Sequence, residues 1–459
     1  MTGSSWAPAA PDPTTCSEVW LPPKPTAAVL DAARRLGRVT LAPVLAAFAT
    51  LLLSESRRRG LDRLAFLARD GHLLMTVTAL VAAGASITSP QLLYVHLTRR
   101  STALAAAGHL QAPELSLAAG VRAGAATWGS ALAYYGIDGD AAGELLASIG
   151  AKETSLLPHG SQLAGLIEHD HWQSQVRSLA RQRRDLLAAY LRQSRLADGS
   201  SAAIVDIGWR ATIQHNLMRL AATINDAPCP AGLYLGLWAD DPGAIPTGLD
   251  CTGLITDLRR RRRLDEAGAW YVACLLEAIC RADEGTTVGY RCAGNTVEPI
   301  LAGPGPARSA ESRSQEVVAQ VRAGVIEGIA ERHFLTSANN LQLRSDAQRR
   351  LLRLAFFPDA GEIVVASHLV HTEGHAPDWS SPLVLDDRPN PLLTPRRWLA
   401  GLASPWRGGY VMATGRGAAH LHRGLESLLI MAPPGLRQSI RRFALGLATS
   451  RHRLIRPRR

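Results

Sequence analysis

Leu64-Ala65-Phe66-Leu67-Ala68-Arg69-Asp70-Gly71-His72 is the stretch on which the fold turns. Five apolar residues in a row, closed by a charged turn with a glycine, are too short for a helix and read as a buried strand. After Gly71 the apolar residues recur at helical spacing over residues 72–83, so the segment is a strand, a tight turn and a helix. A second apolar run, Leu92-Leu93-Tyr94-Val95-His96-Leu97, reaches Thr98-Arg99-Arg100-Ser101 and another helical pattern. Strands that alternate with helices in this way lie parallel to one another.

Upstream, residues 26–36 and 41–59 both carry apolar residues at helical spacing, and the second stretch ends in Arg57-Arg58-Arg59-Gly60, a basic last turn closed by glycine. Downstream, strand signals fade over residues 106–196, and residues 172–196 read as one long helix with arginines outward. The strand pattern returns at Ala202-Ala203-Ile204-Val205-Asp206, followed by a turn at Ile207-Gly208-Trp209-Arg210, a helix over 211–224 and a strand over 232–238. A helix over 265–281, a strand pair near 286–290 and 297–301, and a helix over 315–334 complete the regular part. Beyond residue 338, Pro358, Pro377, Pro382, Pro389, Pro391 and Pro395 interrupt the chain. The expectation is an α/β fold with a Rossmann-like, mostly parallel sheet. Its parts are a flexible tail (1–24), the first part of the core (25–105), a helical insertion or cap (106–200), the second part of the core (201–337) and a small C-terminal accessory module with a basic tail (338–459).

At 459 residues, with 47% hydrophobic and 19% charged residues, the chain has ample material for a core and is not a disordered polymer. Its six cysteines include no CxxC pair, which argues against a zinc knuckle or disulfide framework and suits a reducing cytoplasm. Residues 1–13 lack the basic head and apolar run of a secretory signal. The longest uncharged apolar stretch, 41–53, falls short of the roughly 20 residues of a membrane span. The net charge of +11 is almost wholly arginine, since Lys24 and Lys152 are the only lysines. That bias reflects either composition or an anionic partner. The run Arg259–Arg263 and the tail 437–459 resemble nucleic-acid or lipid-headgroup patches; solvated loop and tail are the expected reading, the tail has no aromatic interleaving, and nucleic acid is not the expected partner. His368, His371 and His375 lack the helical spacing with a glutamate that marks a zinc helix.

In open α/β sheets ligands collect at the carboxyl ends of the strands. Asp70 and Asp206 both fall there, where an aspartate binds a metal such as Mg2+, moves a proton or caps the next helix. Gly71 and Gly208 permit close approach of a ligand to the backbone. Arg69, Arg99, Arg100 and Arg210 lie in the same turns and, with the helix N-termini, would make a phosphate-binding mouth. Thr212 and Gln214 would direct a hydroxyl and an amide to it. Glu277, in an apolar helix, requires either an arginine partner or a cavity.

Taken together, Phe66-Leu67-Ala68-Arg69-Asp70-Gly71, Thr98-Arg99-Arg100, Val205-Asp206-Ile207-Gly208-Trp209 with Thr212 and Gln214, and Gly232-Leu233-Tyr234-Leu235-Gly236 resemble a bacterial family of haloacid-dehalogenase-superfamily hydrolases. That family is associated with surface-polysaccharide and glycosyltransferase gene clusters. The resemblance covers residues 37–301, and Asp-Ile-Gly-Trp is its most specific element. It implies a phosphatase-like hydrolase acting on a phosphorylated sugar or nucleotide with Mg2+ on Asp70 and Asp206. It also implies that the family's Asp-x-Asp nucleophile loop belongs to a separate N-terminal domain. Where the stretch 66–74 echoes that loop, Ala68 occupies the nucleophile position, and an alanine forms no aspartyl-phosphate. Two other readings therefore stand beside hydrolysis: a non-catalytic binding module working with glycosyltransferases, and a phosphoribosyltransferase-like transferase.

Overall fold

The computed structural model describes residues 20–86, 88–120, 126–158, 160–197, 201–222, 229–238, 245–259, 263–331, 339–372, 380–384 and 404–432. The arginine run 259–263 is described only at its ends, and His375 and the stretch 437–459 lie outside the described residues.

Five strands, β1 (Arg63–Leu67), β2 (Gln91–Val95), β3 (Ala202–Trp209), β4 (Ala231–Leu237) and β5 (Cys251–Asp257), form one sheet in the order 2-1-3-4-5. Every pairing in it is parallel. The register is tight at the centre, with Phe66 opposite Tyr94 on one side and Val205 on the other. Alternation along each strand explains why both faces are buried. Leu64, Phe66, Val205, Ile207, Leu233 and Leu235 point into one core, and Ala65, Leu67, Ile204, Tyr234 and Leu237 into the other.

The first core is covered by α2 (Ala42–Arg59) and α3 (Gly71–Gly84), and behind them by α13 (Pro306–Ala330) and α14 (Asn340–Phe356). α1 (Ala27–Arg35) runs through a π-helical turn, Leu36–Leu41, straight into α2. The continuous helix Ala27–Arg59 is long and apolar enough to cross a membrane, yet 78% of its apolar window is buried inside the fold, as in a core helix. α4 (Arg99–Ala107), α9 (Asp170–Gln193) and α10 (Thr212–Ala221) serve the opposite face.

Between β2 and β3 four short helices, α5 (Ala112–Gly120), α6 (Trp128–Tyr134), α7 (Gly139–Ala147) and α8 (Gly160–Ile167), gather around Trp128, Leu132, Leu145 and Leu163 in a core of their own. α9 ties this insertion to the sheet. Its first half supplies Trp172, Val176 and Ala180 to the insertion, and its second half supplies Leu187, Tyr190 and Leu191 to the sheet face.

The regular pattern differs from the sequence reading in four places. β3 runs on through the expected turn as far as Trp209. The expected helix over 265–281 is broken into a 3-10 turn, Leu264–Glu266, then α11 (Gly268–Tyr271) and α12 (Ala273–Cys280). α13 starts nine residues earlier than the 315–334 reading, at Pro306, where a proline suits the first helical turn. β5, whose apolar run is interrupted at Thr252 and Gly253, closes the sheet edge and was not anticipated.

Small antiparallel pairs are added to this framework. β6 (Thr287–Ala293) and β7 (Thr296–Leu301) form a hairpin, and β8 (Val370–Thr372) pairs with β9 (Ser380–Pro382). The C-terminal helices α15 (Ala360–Ala366), α16 (Arg407–Thr414) and α17 (Arg416–Met431) place Ile363, Val365, Tyr410 and Ala419 in the first core.

Candidate functional site

From β1 the chain crosses to the sheet edge at β2, then returns through the insertion to the other side of β1 as β3. The connections leaving the C-terminal ends of β1 and β3 diverge to opposite faces, the topological switch point at which open α/β sheets bind ligands. Asp70 follows β1 and is the residue before α3, while Asp206 lies in β3 one residue past the Phe66–Val205 pair. The two aspartates therefore flank the switch point.

Gly71 and Gly208 admit this arrangement for different reasons. Gly71 is helical, and a Cβ there would meet the Phe66 carbonyl carbon at 2.8 Å. Gly208 has φ +109, and its Cβ would lie 2.4 Å from the Gly236 carbonyl oxygen. Trp209 (φ 76) and Ala211 (φ 51) also have left-handed backbones. Positive φ at non-glycine residues costs of order 1 kcal/mol or more each and concentrates at functional sites.

A third carboxylate joins the pair. Glu277, on α12, accepts a hydrogen bond from the Trp209 indole Nε1 at 2.8 Å. Burial, then the charge of Glu277, pushes the Asp70 carboxyl up to about 7, against the pull of Arg69 and Arg281. Burial, then the charge of Asp70, raises Asp206 well above the usual carboxylate range, although the backbone N–H groups of Ile207 and Gly208 counteract it. Both aspartates keep some accessible surface but are closely packed, so their charges are poorly screened.

No protein-family model and no curated protein matches this chain.

Beside the acids lies a buried ionic hub. Glu311, on α13, receives Arg69 through two bonds of 2.8 and 3.1 Å, Arg281 at 3.2 Å, and the Thr372 hydroxyl at 2.5 Å. Burial alone would raise the Glu311 carboxyl, but Arg281 and Arg69 hold it down at about 2. Arg281 also donates to Thr372 Oγ1 at 2.9 Å, and its own burial lowers it to about 10.

The residues read from the sequence separate into two sets. Asp70, Asp206, Arg69, Gly71 and Gly208 come together at the switch point. Arg69 is held there by Glu311, so its guanidinium is a fixed wall of the site. Arg99 and Arg210 are exposed, at the first turn of α4 and just after β3. Thr212 is half-buried at the first turn of α10.

Arg100 and Gln214 are directed elsewhere. Arg100 is 5% exposed and pairs with Asp138 of the insertion at 2.6 Å. Gln214 is fully buried; it donates to the carbonyls of Pro230 and Asp250 at 2.9 and 2.8 Å and accepts from the Tyr234 hydroxyl at 3.1 Å. Its amide thus secures the starts of β4 and β5, at the end of the sheet away from the aspartates.

Glu277 answers the alternative posed by the sequence. Its partners include the Trp209 indole, and its charge acts on both aspartates. Glu311, Arg281, Cys274 and His371 join the neighbourhood without having been anticipated. The cost of burying Glu277 in an apolar helix was the one sequence signal that pointed toward them.

Proposed function

We propose that the β1/β3 switch point binds a phosphorylated sugar or nucleotide, with Mg2+ held by Asp70 and Asp206, in a hydrolase-like protein of bacterial polysaccharide metabolism working in the cytoplasm. The observation that supports this reading is the convergence of three mutually repelling carboxylates, Asp70, Asp206 and Glu277, at the place where α/β sheets bind ligands. The donor chemistry suits the ion: carboxylate oxygens are the hard ligands Mg2+ selects, and substrate phosphates complete its shell. When bound, the ion supplies charge neutralisation at a phosphoryl oxygen.

The chain's own residues account for the rest of this reading. Burial and the charge of Glu277 raise Asp70 to about 7 without an ion, and a bound cation would hold it as the carboxylate that ligates. Arg69, anchored by Glu311, orients the anion from one side. Arg99 and Arg210, exposed beside the N-terminal turns of α4 and α10, draw phosphate toward the mouth. Because Ala68 stands where the related hydrolases would carry their nucleophile, transfer proceeds in this reading to a water or acceptor hydroxyl, without an aspartyl-phosphate.

The same alanine favours the second reading, a ligand-binding module that assists glycosyltransferases without turnover. A thermal-shift screen against sugar phosphates, nucleotide sugars and nucleotides, with and without Mg2+, tests the shared core of both, since a ligand that binds the native state raises its melting point. Stabilisation by one ligand class, abolished in Asp70→Asn and Asp206→Asn, is the expected result; turnover of that ligand then separates enzyme from module. No Mg2+-dependent shift with any of them rejects the metal-phosphate site.

A further inference from the structure

We propose that Cys274, Glu277 and His371 form a site for one transition-metal ion of the zinc class, bound by the thiolate, a carboxylate oxygen and an imidazole nitrogen. This goes beyond the Mg2+ reading: it uses a different ion and requires neither Asp70 nor Asp206.

The three ligand atoms lie within 4.8 Å of one another, and all three residues are half-buried, so an ion has a way in. Cys274 and Glu277 are three residues apart on α12 and share one helix face. His371 comes from β8, 94 residues after Glu277 in the chain, which packs against α12. Ligands at 2.0–2.3 Å from a tetrahedral ion stand roughly 3.3–3.8 Å apart, so closure requires side-chain movements of only about 1 Å.

The surroundings hold the ligands in place. The Trp209 indole fixes Glu277 Oε1 at 2.8 Å, while Oε2 lies 4.0 Å from His371 Nδ1. Thr372, the next residue, ties β8 to Glu311 and Arg281, which sets the position of His371. Partners of this kind orient metal ligands and sustain their affinity.

Donor type decides which ion fits. A thiolate and an imidazole select zinc and its neighbours, whereas Mg2+ and Ca2+ take oxygen ligands. Three protein ligands with a further position for water or a substrate oxygen is the pattern of catalytic zinc sites. The histidine spacing argued against a zinc helix, and the ligand set proposed here comes instead from two distant segments.

The test uses the full chain, reduced, stripped with chelator and titrated with Co2+ as a spectroscopic stand-in for Zn2+. A single equivalent is expected to bind with a thiolate-to-cobalt charge-transfer band and the intense visible bands of a tetrahedral ion, and Zn2+ displaces it. Cys274→Ser should abolish the charge-transfer band, and His371→Ala should weaken binding by about tenfold or more. Asp70→Asn and Asp206→Asn should keep the charge-transfer band and the single equivalent, and lower affinity less than His371→Ala does, with far-UV circular dichroism confirming that each variant is folded. Absence of saturable binding overturns the proposal. So does a thiolate band that survives Cys274→Ser, which would place the ion on another cysteine, or equal loss of binding in Asp70→Asn, which would place it on the aspartates.

Discussion

Replacing Asp70 by asparagine should stabilise the protein progressively as pH rises from about 4 to 7 and leave it nearly unchanged near pH 3.5. The folded state raises the carboxyl from 3.8 to about 7 through burial and the charge of Glu277. Between those values the native state binds a proton that the unfolded chain does not, so stability falls as pH rises from about 4 to 7 and levels off above that. A shift of about three units at 1.36 kcal/mol each sets a ceiling near 4 kcal/mol; because neighbouring acids share the repulsion, about 2–4 kcal/mol is expected at pH 8. Asparagine keeps the shape and removes the charge. Urea unfolding of the native protein and of Asp70→Asn at about pH 3.5 and pH 8 measures the difference directly. Excess Mg2+ should narrow the gap at pH 8 if the ion relieves the same repulsion. An asparagine variant that is destabilised, or unaffected, at both pH values would refute the claim that Asp70 carries electrostatic strain.

Three further substitutions probe the frame around the site. Glu311→Gln leaves Arg69 and Arg281 without their buried partner and should cost about 3–5 kcal/mol by denaturant unfolding. Because Glu311 is depressed to about 2 in the fold, its contribution is complete above about pH 4.5 and fades as pH falls toward 2, so native protein and variant should converge there. Gly208→Ala meets both the left-handed backbone and the Gly236 carbonyl, and a loss of about 3 kcal/mol or more, visible as a lowered urea midpoint, is expected. Gln214→Leu removes the partner of two strand-start carbonyls and should cost about 2–4 kcal/mol, while any Mg2+-dependent ligand stabilisation persists.

The parallel core was legible because its signals are local. β1, β2 and β3 are short apolar runs ending at glycine or arginine turns, and these and β4 each fall within a few residues of their expected places. Asp70 and Asp206 followed from the same logic, since the end of a strand can be read from the chain. β5 escaped because Thr252 and Gly253 interrupt its apolar run. Arg100 and Gln214 were read as facing the mouth because position in sequence gives the turn but not the rotamer. Arg100 meets Asp138 from the insertion, and Gln214 meets two carbonyls near the starts of β4 and β5. The Cys274–Glu277–His371 group was illegible for a related reason: nothing in the separate stretches reveals that β8 lies against α12.

The choice between a working site and a vestigial one can be argued from what the fold tolerates. Two aspartates raised by burial, Asp70 also by the charge of Glu277 and Asp206 by those of Asp70 and Glu277, oppose stability at one end of β3 together with left-handed Trp209 and Ala211. Neutral side chains of the same size at 70 and 206 would fit the same space without the repulsion. Local rules are broken together at functional positions more readily than by chance packing. The strain is also supported from outside: Glu311 anchors Arg69 and Arg281, and Trp209 fixes Glu277, so the acids are held in place although they repel. A ligand that brings positive charge to the switch point would convert that repulsion into binding free energy. This is why loss of the Asp70 penalty and loss of ligand stabilisation should occur in the same variant.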